Sequence, residues 1–158
     1  MKFYTVSNDY INFLKTLDPK VPDNYGGKRP YVGIIIEIGE HKYLAPLTSY
    51  KPKQDKIKDN NSTIYKIFDS DANKLGMLHL NNMIPIVESE IFLVDFSTQD
   101  PAYRSLLVKQ IAYIKSHQDS IKARAETLYK LVVVSKNDFC CNISCDFSAL
   151  EAGYKDFV

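Results

Sequence analysis

Residues 31–49 read YVGIIIEIGEHKYLAPLTS, and the prediction of the fold starts from this stretch. It contains two β-rich runs, residues 31–38 and 41–46, which are separated by Gly39-Glu40. That pattern is typical of two antiparallel strands joined by a tight turn. The first run is too apolar to be an edge strand. The stretch therefore predicts a hairpin whose first strand is not at the edge of its sheet.

Strands and helices are predicted on both sides of this hairpin. Ser7 is suited to be the N-cap of a helix that Asp18-Pro19 ends. Asp100-Pro101 is expected to start a second helix, a third begins near Asp119, and Asp146 is expected to cap a last one. Further strand-like runs, spaced by Asp, Asn and Gly, are residues 2–6, 63–68, 75–80, 84–87 and 91–95.

These elements predict an α+β fold. Hairpin-connected short strands favour a compact, twisted, barrel-like antiparallel sheet, and about four helices should cover it. No internal repeat or long linker divides the chain, so residues 1–158 are expected to form a single domain.

The composition excludes several classes of protein. Hydrophobic residues make up 45% of the chain and charged residues 25%, which is ordinary globular usage. No apolar run has the ~18 residues of a membrane span, and the first residues lack the apolar core of a secretory signal, so a cytoplasmic protein with no membrane partner is expected. Cys140, Cys141 and Cys145 lack a fourth ligand nearby. We interpret them as buried or idle thiols and expect no metal and no cofactor.

Positive charge is concentrated in the first third of the chain, although the formal net charge is only +1. The last twenty residues, in contrast, are locally acidic. A polyanion such as RNA would meet the basic group. Its members are Lys28, Arg29, Lys51, Lys53, Lys56 and Lys58.

Two hydroxyls and two lysines follow the buried hairpin strand closely, at Thr48, Ser49, Lys51 and Lys53. Hydroxyls and backbone N–H groups can donate to a phosphate that a lysine neutralises, which suits a phosphodiester. The same residues also suit a plain turn with solvated lysines, and their chemistry alone leaves both interpretations open. His41, at the start of a strand, is interpreted as structural.

Six stretches of the chain recur together in one known family. They are KFYT at 2–5, VGIIIEI at 32–38, HKYLAPLTS at 41–49, LG at 75–76, NNMIPI at 81–86 and YKDF at 154–157. In them the chain resembles the ToxN/AbiQ/CptN toxins, nearly from end to end. The resemblance implies a fold related to the MazF and Kid ribonuclease toxins.

The resemblance also implies functions for single residues. Thr48 and Ser49 match a Thr-Ser pair that is implicated in cleavage in this family. A family lysine falls on Arg29, with Lys28 beside it. This is a departure, because arginine keeps a cation suited to phosphate but does not exchange protons near neutral pH.

The remaining implied residues lie in two loops. Lys51 is close to another family lysine, and Lys53 replaces it if the loop register differs. Tyr25 matches a family tyrosine that could stack on a base or contact phosphate. Thr48, Ser49, Lys51 and Arg29 are thus the candidate catalytic residues, and the candidate RNA-binding residues are Tyr25, Lys28, Lys53, Lys56 and Lys58.

The resulting hypothesis is a metal-independent endoribonuclease toxin of a type III toxin-antitoxin system. It would cleave adenine-rich cellular and phage RNA, leaving 2′,3′-cyclic phosphate and 5′-hydroxyl ends. It would also process its antitoxin precursor and be inhibited by the resulting RNA pseudoknot in a closed toxin–RNA assembly. Two alternatives stay open, namely a non-catalytic RNA-binding barrel and a MazF-like ribonuclease with a protein antitoxin.

Overall fold

The computed structural model describes all 158 residues, and its strands form one antiparallel sheet. The strands are β1 (Lys2–Val6), β2 (Tyr31–Gly33), β3 (Glu37–Ile38), β4 (His41–Ser49), β5 (Tyr65–Phe68), β6 (Lys74–Leu78), β7 (Ile84–Pro85) and β8 (Ile91–Leu93). Their order is β5-β6-β4-β2-β1-β8, and β3 and β7 also pair with β4. Because β5 and β8 do not pair with each other, the sheet is open rather than a closed barrel.

The long strand β4 is the centre of this sheet. On one edge its first half pairs with β3 and its middle with β2. On the other edge its middle pairs with β7, and Leu47 to Ser49 pair with Leu78 to Gly76 of β6. The segment 43–47 is fully buried. Both edges of β4 are thus paired and its middle is covered. The strand β2, in the run predicted not to be an edge, also pairs on both sides, with β1 and β4.

The predicted hairpin is confirmed, since Glu37 pairs with Lys42 and Ile38 with His41 around Gly39-Glu40. Its first run is not one continuous strand. Residues 34–36 belong to no strand, although the Ile35 N–H donates to the Tyr43 carbonyl and the Tyr43 N–H donates to the Ile36 carbonyl. These bonds still hold the segment against β4.

Five α-helices accompany the sheet: α1 (Asn8–Leu17), α2 (Pro101–Ser116), α3 (Gln118–Val133), α4 (Asp138–Ile143) and α5 (Phe147–Gly153). The predicted caps Ser7, Asp100 and Asp146 each accept a backbone N–H of the helix that follows. The α+β class is confirmed. The short helix α4, which Asn137 caps, was not predicted. None of the helices has the length and apolar character that crossing a membrane requires.

One glycine of β6 lets two strands approach closely. Gly76 has φ +151°, and a Cβ added there would overlap the carbonyl oxygen of Thr48. Gly39 also has a positive φ of +58°, but a Cβ there would meet nothing within 4 Å. The close approach of β6 and β4 beside Thr48 therefore requires glycine at position 76.

We expect Gly76→Ala to lower the free energy of unfolding by about 2–4 kcal/mol, because strain and overlap with backbone add up. Gly39→Ala is the matched control and should cost only about 1–2 kcal/mol, from its left-handed backbone alone. Urea unfolding of both variants measures the difference. Equal losses would show that the approach of β6 to β4 tolerates a side chain.

Candidate functional site

A cleft of about 730 Å³ opens beside the end of β4. It is built from five parts of the chain: the turn around Tyr25, the end of β4, the loop after it, the end of β6 and α4. The lining residues include Tyr25, Arg29, Thr48, Lys51, Lys53, Gln54, Lys56, Lys58, Met77, His79, Asn81, Phe139 and Ile143.

The two hydroxyl residues at the end of β4 differ in their positions. Thr48 lines the cleft and is half-buried, whereas Ser49 is exposed and is not part of the lining. The reason is the alternation of side chains along a strand, which sends neighbouring residues to opposite faces. The structure thus places only Thr48 inside the cleft and leaves Ser49 at its outer edge.

Thr48 is paired with a histidine from β6's end. Its Oγ1 lies 2.9 Å from Nε2 of His79 and 3.4 Å from the Met77 carbonyl oxygen. Burial, together with the positive charges of Arg29 and Lys53, lowers the pKa of His79 to about 4. The imidazole is therefore neutral near pH 7, and one of its nitrogens can accept a hydrogen bond.

The lysine-rich loop after β4 is ordered rather than free. Pro52–Lys56 form a 3₁₀ helix with Pro52 in its first turn. The buried Gln54 turns back toward β4, and its Nε2 donates to the Ser49 carbonyl at 3.0 Å and to Thr48 Oγ1 at 3.4 Å. This contact fixes the loop relative to the strand end.

The acidic side chains of this loop are bound away from the cleft. Asp55 accepts from the Tyr50 hydroxyl at 2.7 Å and from Lys74 Nζ at 2.8 Å, and these partners hold its pKa below the usual range. Asp59 pairs with Lys66 at 2.8 Å. No Asp or Glu lines the cleft, while five cations do: Arg29, Lys51, Lys53, Lys56 and Lys58. The cleft is thus strongly positive in a chain of net charge +1.

The turn on the opposite side presents a tyrosine and an arginine. Tyr25 is 67% exposed, has φ +50°, and its ring lies 5.5 Å from the guanidinium carbon of Arg29. Arg29 is buried, and its Nη1 donates to the Asp23 carbonyl at 3.2 Å. Its Nε has no partner within the chain. One face of the guanidinium therefore covers the tyrosine ring while a donor stays free.

The structure brings together most of the residues that the sequence pointed to. Seven of them line the cleft, and only Ser49 and Lys28 lie outside its lining, where both are exposed. His41 does not line the cleft, and its Nδ1 lies 3.1 Å from the Tyr154 hydroxyl. The seven lining residues are Tyr25, Arg29, Thr48, Lys51, Lys53, Lys56 and Lys58.

Sequence reasoning missed His79 and the residues of α4. His79 lies 31 positions from Thr48, and no local pattern links the two. The one signal in the sequence was the presence of two strand-like runs, residues 41–46 and 75–80. If these runs had been paired with each other, residue 79 could have been placed near the end of β4. The cysteines are free, with Cys140 and Cys145 buried, and no three His, Cys, Asp or Glu side chains are grouped as metal ligands would be.

Comparison with known proteins gives consistent matches over the whole chain. The family model described as "Toxin ToxN, type III toxin-antitoxin system" matches residues 2–155. Endoribonuclease ToxN of Pectobacterium atrosepticum is 39% identical over 164 residues, which cover 99% of this chain and 94% of the relative. Endoribonuclease AbiQ of Lactococcus lactis subsp. lactis is 31% identical over 159 residues, which cover 96% of this chain and 86% of the relative.

Solved structures agree with these sequence matches. One, described with the words "A processed non-coding RNA regulates a bacterial antiviral system", has a TM-score of 0.89 at 38% identity and covers 99% of both chains. Another, from work on selective toxin inhibition by a non-coding RNA pseudoknot, has a TM-score of 0.87 at 36% identity, covering 98% of this chain and 96% of that one. The chain therefore belongs to the ToxN family of type III toxin-antitoxin toxins.

Proposed function

We propose that this chain is an endoribonuclease toxin that cleaves adenine-rich RNA in the cleft beside β4. The observation that carries the proposal is the hydrogen-bonded pair of Thr48 and His79 in a cleft that five cations and no carboxylate line. Such a surface attracts a polyanion and repels positively charged ligands. The relatives named above are endoribonucleases, which fits this chemistry.

The proposed reaction is transesterification within the RNA. The 2′-oxygen of one nucleotide attacks the adjacent phosphorus, and the bond from phosphorus to the 5′-oxygen breaks. The 2′-hydroxyl loses its proton, and the leaving 5′-oxygen gains one. The products carry a 2′,3′-cyclic phosphate and a 5′-hydroxyl. Since the nucleophile belongs to the substrate, the protein has to position the phosphate and stabilise its extra charge.

The lining residues suit those two tasks. Arg29 and Lys51 lie on different loops that both border the cleft, so a phosphate between them would contact cations from two directions. Thr48 Oγ1 would donate to a phosphate oxygen while His79 and Gln54 hold its position. Charge-assisted hydrogen bonds of this kind strengthen as negative charge develops on the phosphorus centre.

Three further residues have supporting functions in this proposal. Ser49 is exposed at the outer edge of the strand end, where its hydroxyl is free for an RNA strand that leaves the cleft. Lys28 is exposed on the turn that carries Tyr25 and Arg29, and it would neutralise an outer phosphate. Tyr25 would stack on a base beside the scissile bond.

The donor set of the cleft supports a reaction without a metal ion. Magnesium in nucleotide-processing sites is usually held by one or two carboxylates together with the substrate phosphates, and none of the lining side chains is a carboxylate. The cationic side chains that line the cleft would instead neutralise the phosphate directly. We therefore propose that lysine and arginine supply the charge that a metal ion supplies in many other nucleases.

The proposed partner of the toxin is a small repeated RNA that folds as a pseudoknot. A solved relative at 36% identity is described as selectively inhibited by such an RNA, and another as part of an antiviral system regulated by a processed non-coding RNA. The cleft would both cut the repeated precursor and hold the product in a closed toxin–RNA assembly. Growth arrest or abortive phage infection would follow when that RNA is lost.

Removing either hydroxyl at the end of β4 should slow cleavage. Thr48→Val keeps the shape of the side chain, and Ser49→Ala removes an exposed group, so both variants should fold. Thr48→Val should lower the cleavage rate about 10²-fold, as the loss of one preorganised donor does, and Ser49→Ala, at the outer edge of the strand end, should lower it less. Ser70→Ala, an exposed serine outside the cleft, is the matched control. Initial rates on one adenine-rich RNA decide the matter, and a wild-type rate for Thr48→Val would remove Thr48 from the site.

Cleavage should proceed unchanged in excess EDTA, because the proposed mechanism uses no metal ion. Analysis of the fragment ends should find 2′,3′-cyclic phosphates and 5′-hydroxyls. Treatment with a phosphatase that opens cyclic phosphates provides the control for the assignment of the ends. Inhibition by the chelator, or 3′-hydroxyl ends, would contradict the transesterification mechanism.

The low pKa of His79 predicts how stability depends on pH. The pKa is about 4 in the folded chain and about 6.5 for an ordinary histidine, so the unfolded chain binds more protons between these values. This contribution to stability is complete above about pH 6.5 and falls as the pH decreases toward about 4. His79→Gln should weaken this dependence, which urea unfolding across that range measures. His117→Gln, outside the cleft, is the control, and an unchanged pH profile in His79→Gln would refute the assignment.

A further inference from the structure

Two large apolar side chains are exposed on the wall of the cleft formed by α4. Phe139 is 59% exposed and Ile143 is 44% exposed, and both belong to the lining. They are four residues apart in the helix, so they lie on the same face. The sequence pattern did not predict this helix, and the proposed reaction assigns no function to it.

The exposure of this face does not result from loose attachment of α4. The Asn137 side chain caps the helix by accepting from the Cys140 N–H at 3.0 Å, and Cys140 itself is buried. At the other end, Nδ2 of Asn81 donates to the Ile143 carbonyl at 2.9 Å. The helix is thus fixed at both ends, with one face packed inward and the other turned to the cleft.

Phe139 also differs from the other exposed apolar residues. Phe92 and Leu93 lie on the edge strand β8, and neither lines the cleft. Phe139 shares the lining with Tyr25, which is also a strongly exposed aromatic residue, and with the five cations. Cations that follow a backbone, combined with aromatic rings on which bases stack, are the usual means of binding a single nucleic acid strand.

We propose that Phe139 and Ile143 of α4 form a stacking wall for an unpaired base of the bound RNA. These two residues are not among those that would contact the phosphate. The inference rests on the proposed function, because it takes RNA to be the occupant of the cleft. The charge of the cleft decides between occupants, because an apolar segment of a protein would leave five cations without partners, whereas an RNA strand neutralises them along its backbone.

The test measures binding without cleavage. The probe is a short adenine-rich RNA with 2′-O-methyl groups, which has no free 2′-hydroxyl to attack, and its affinity is followed by fluorescence anisotropy at several salt concentrations. A second probe has the same backbone with abasic positions. The variants are Phe139→Ala, Phe139→Trp and the matched control Phe92→Ala, which removes an equally exposed ring outside the cleft.

Phe139→Ala should bind the base-containing probe roughly 5- to 100-fold more weakly than the wild type, while Phe139→Trp and Phe92→Ala bind it as the wild type does. The salt dependence should be unchanged in Phe139→Ala, because no phosphate contact is lost. Lys51→Ala, in contrast, should reduce its slope by about 0.7. The abasic probe should bind equally to the wild type and to Phe139→Ala.

The stacking wall is overturned if Phe139→Ala binds the base-containing probe as tightly as the wild type, or if it loses as much affinity for the abasic probe. Absence of binding by the wild type overturns it as well. Failure of the proposed function gives a different result, since the wild type would then bind the uncleavable probe but leave an unmodified adenine-rich RNA intact.

Discussion

The hydrogen bonds on both edges of β4 are the constraint on which the rest of the structure depends. Buried backbone groups need partners, and the buried residues 43–47 obtain them from β2 and β7 and from the segment before β3. The pairing with β6 then continues to Ser49, beyond the buried segment. It fixes the direction of Thr48 and places His79, one residue after the end of β6, within hydrogen-bonding distance of it. The central strand thereby positions the site.

The helices are coupled to the same strand through a half-buried carboxylate. The Tyr43 hydroxyl of β4 donates to Glu151 of α5 at 2.5 Å, and the Tyr129 hydroxyl of α3 donates to the same oxygen at 2.8 Å. Burial and the neighbouring carboxylate raise the pKa of Tyr43, so its proton stays in place and the donation is permanent. A carboxylate in such a position is stabilised because two donors satisfy it. One oxygen atom thus joins the sheet to two helices.

The parts of the fold that could be predicted depend on neighbouring residues. Ser7, Asp100 and Asp146 each cap the helix that follows them directly, and Gly39-Glu40 joins strands that are adjacent in sequence. The helix α4 was missed because six residues give little helical periodicity. The pair of Thr48 and His79 was missed for a different reason. The two residues are 31 positions apart and meet because of the register between β4 and β6, which neither segment determines by itself. The basic residues could be identified without the structure, because their clustering is visible along the sequence. The sequence did not show, however, that Thr48 lies inside the cleft and Ser49 outside it.

The positive charge of the cleft and the neutral state of His79 are physically linked. Lysine and arginine side chains only donate hydrogen bonds, so five of them make a site that suits phosphate but offers nothing to accept a proton. Burial is the main cause of the lowered pKa of His79, and the charges of Arg29 and Lys53 lower it further. The same cations that would bind the backbone of an RNA thereby help to keep the imidazole beside Thr48 neutral. Loss of these charges would weaken phosphate binding and also let His79 become protonated at higher pH, so binding and the state of the Thr48–His79 pair are linked through electrostatics.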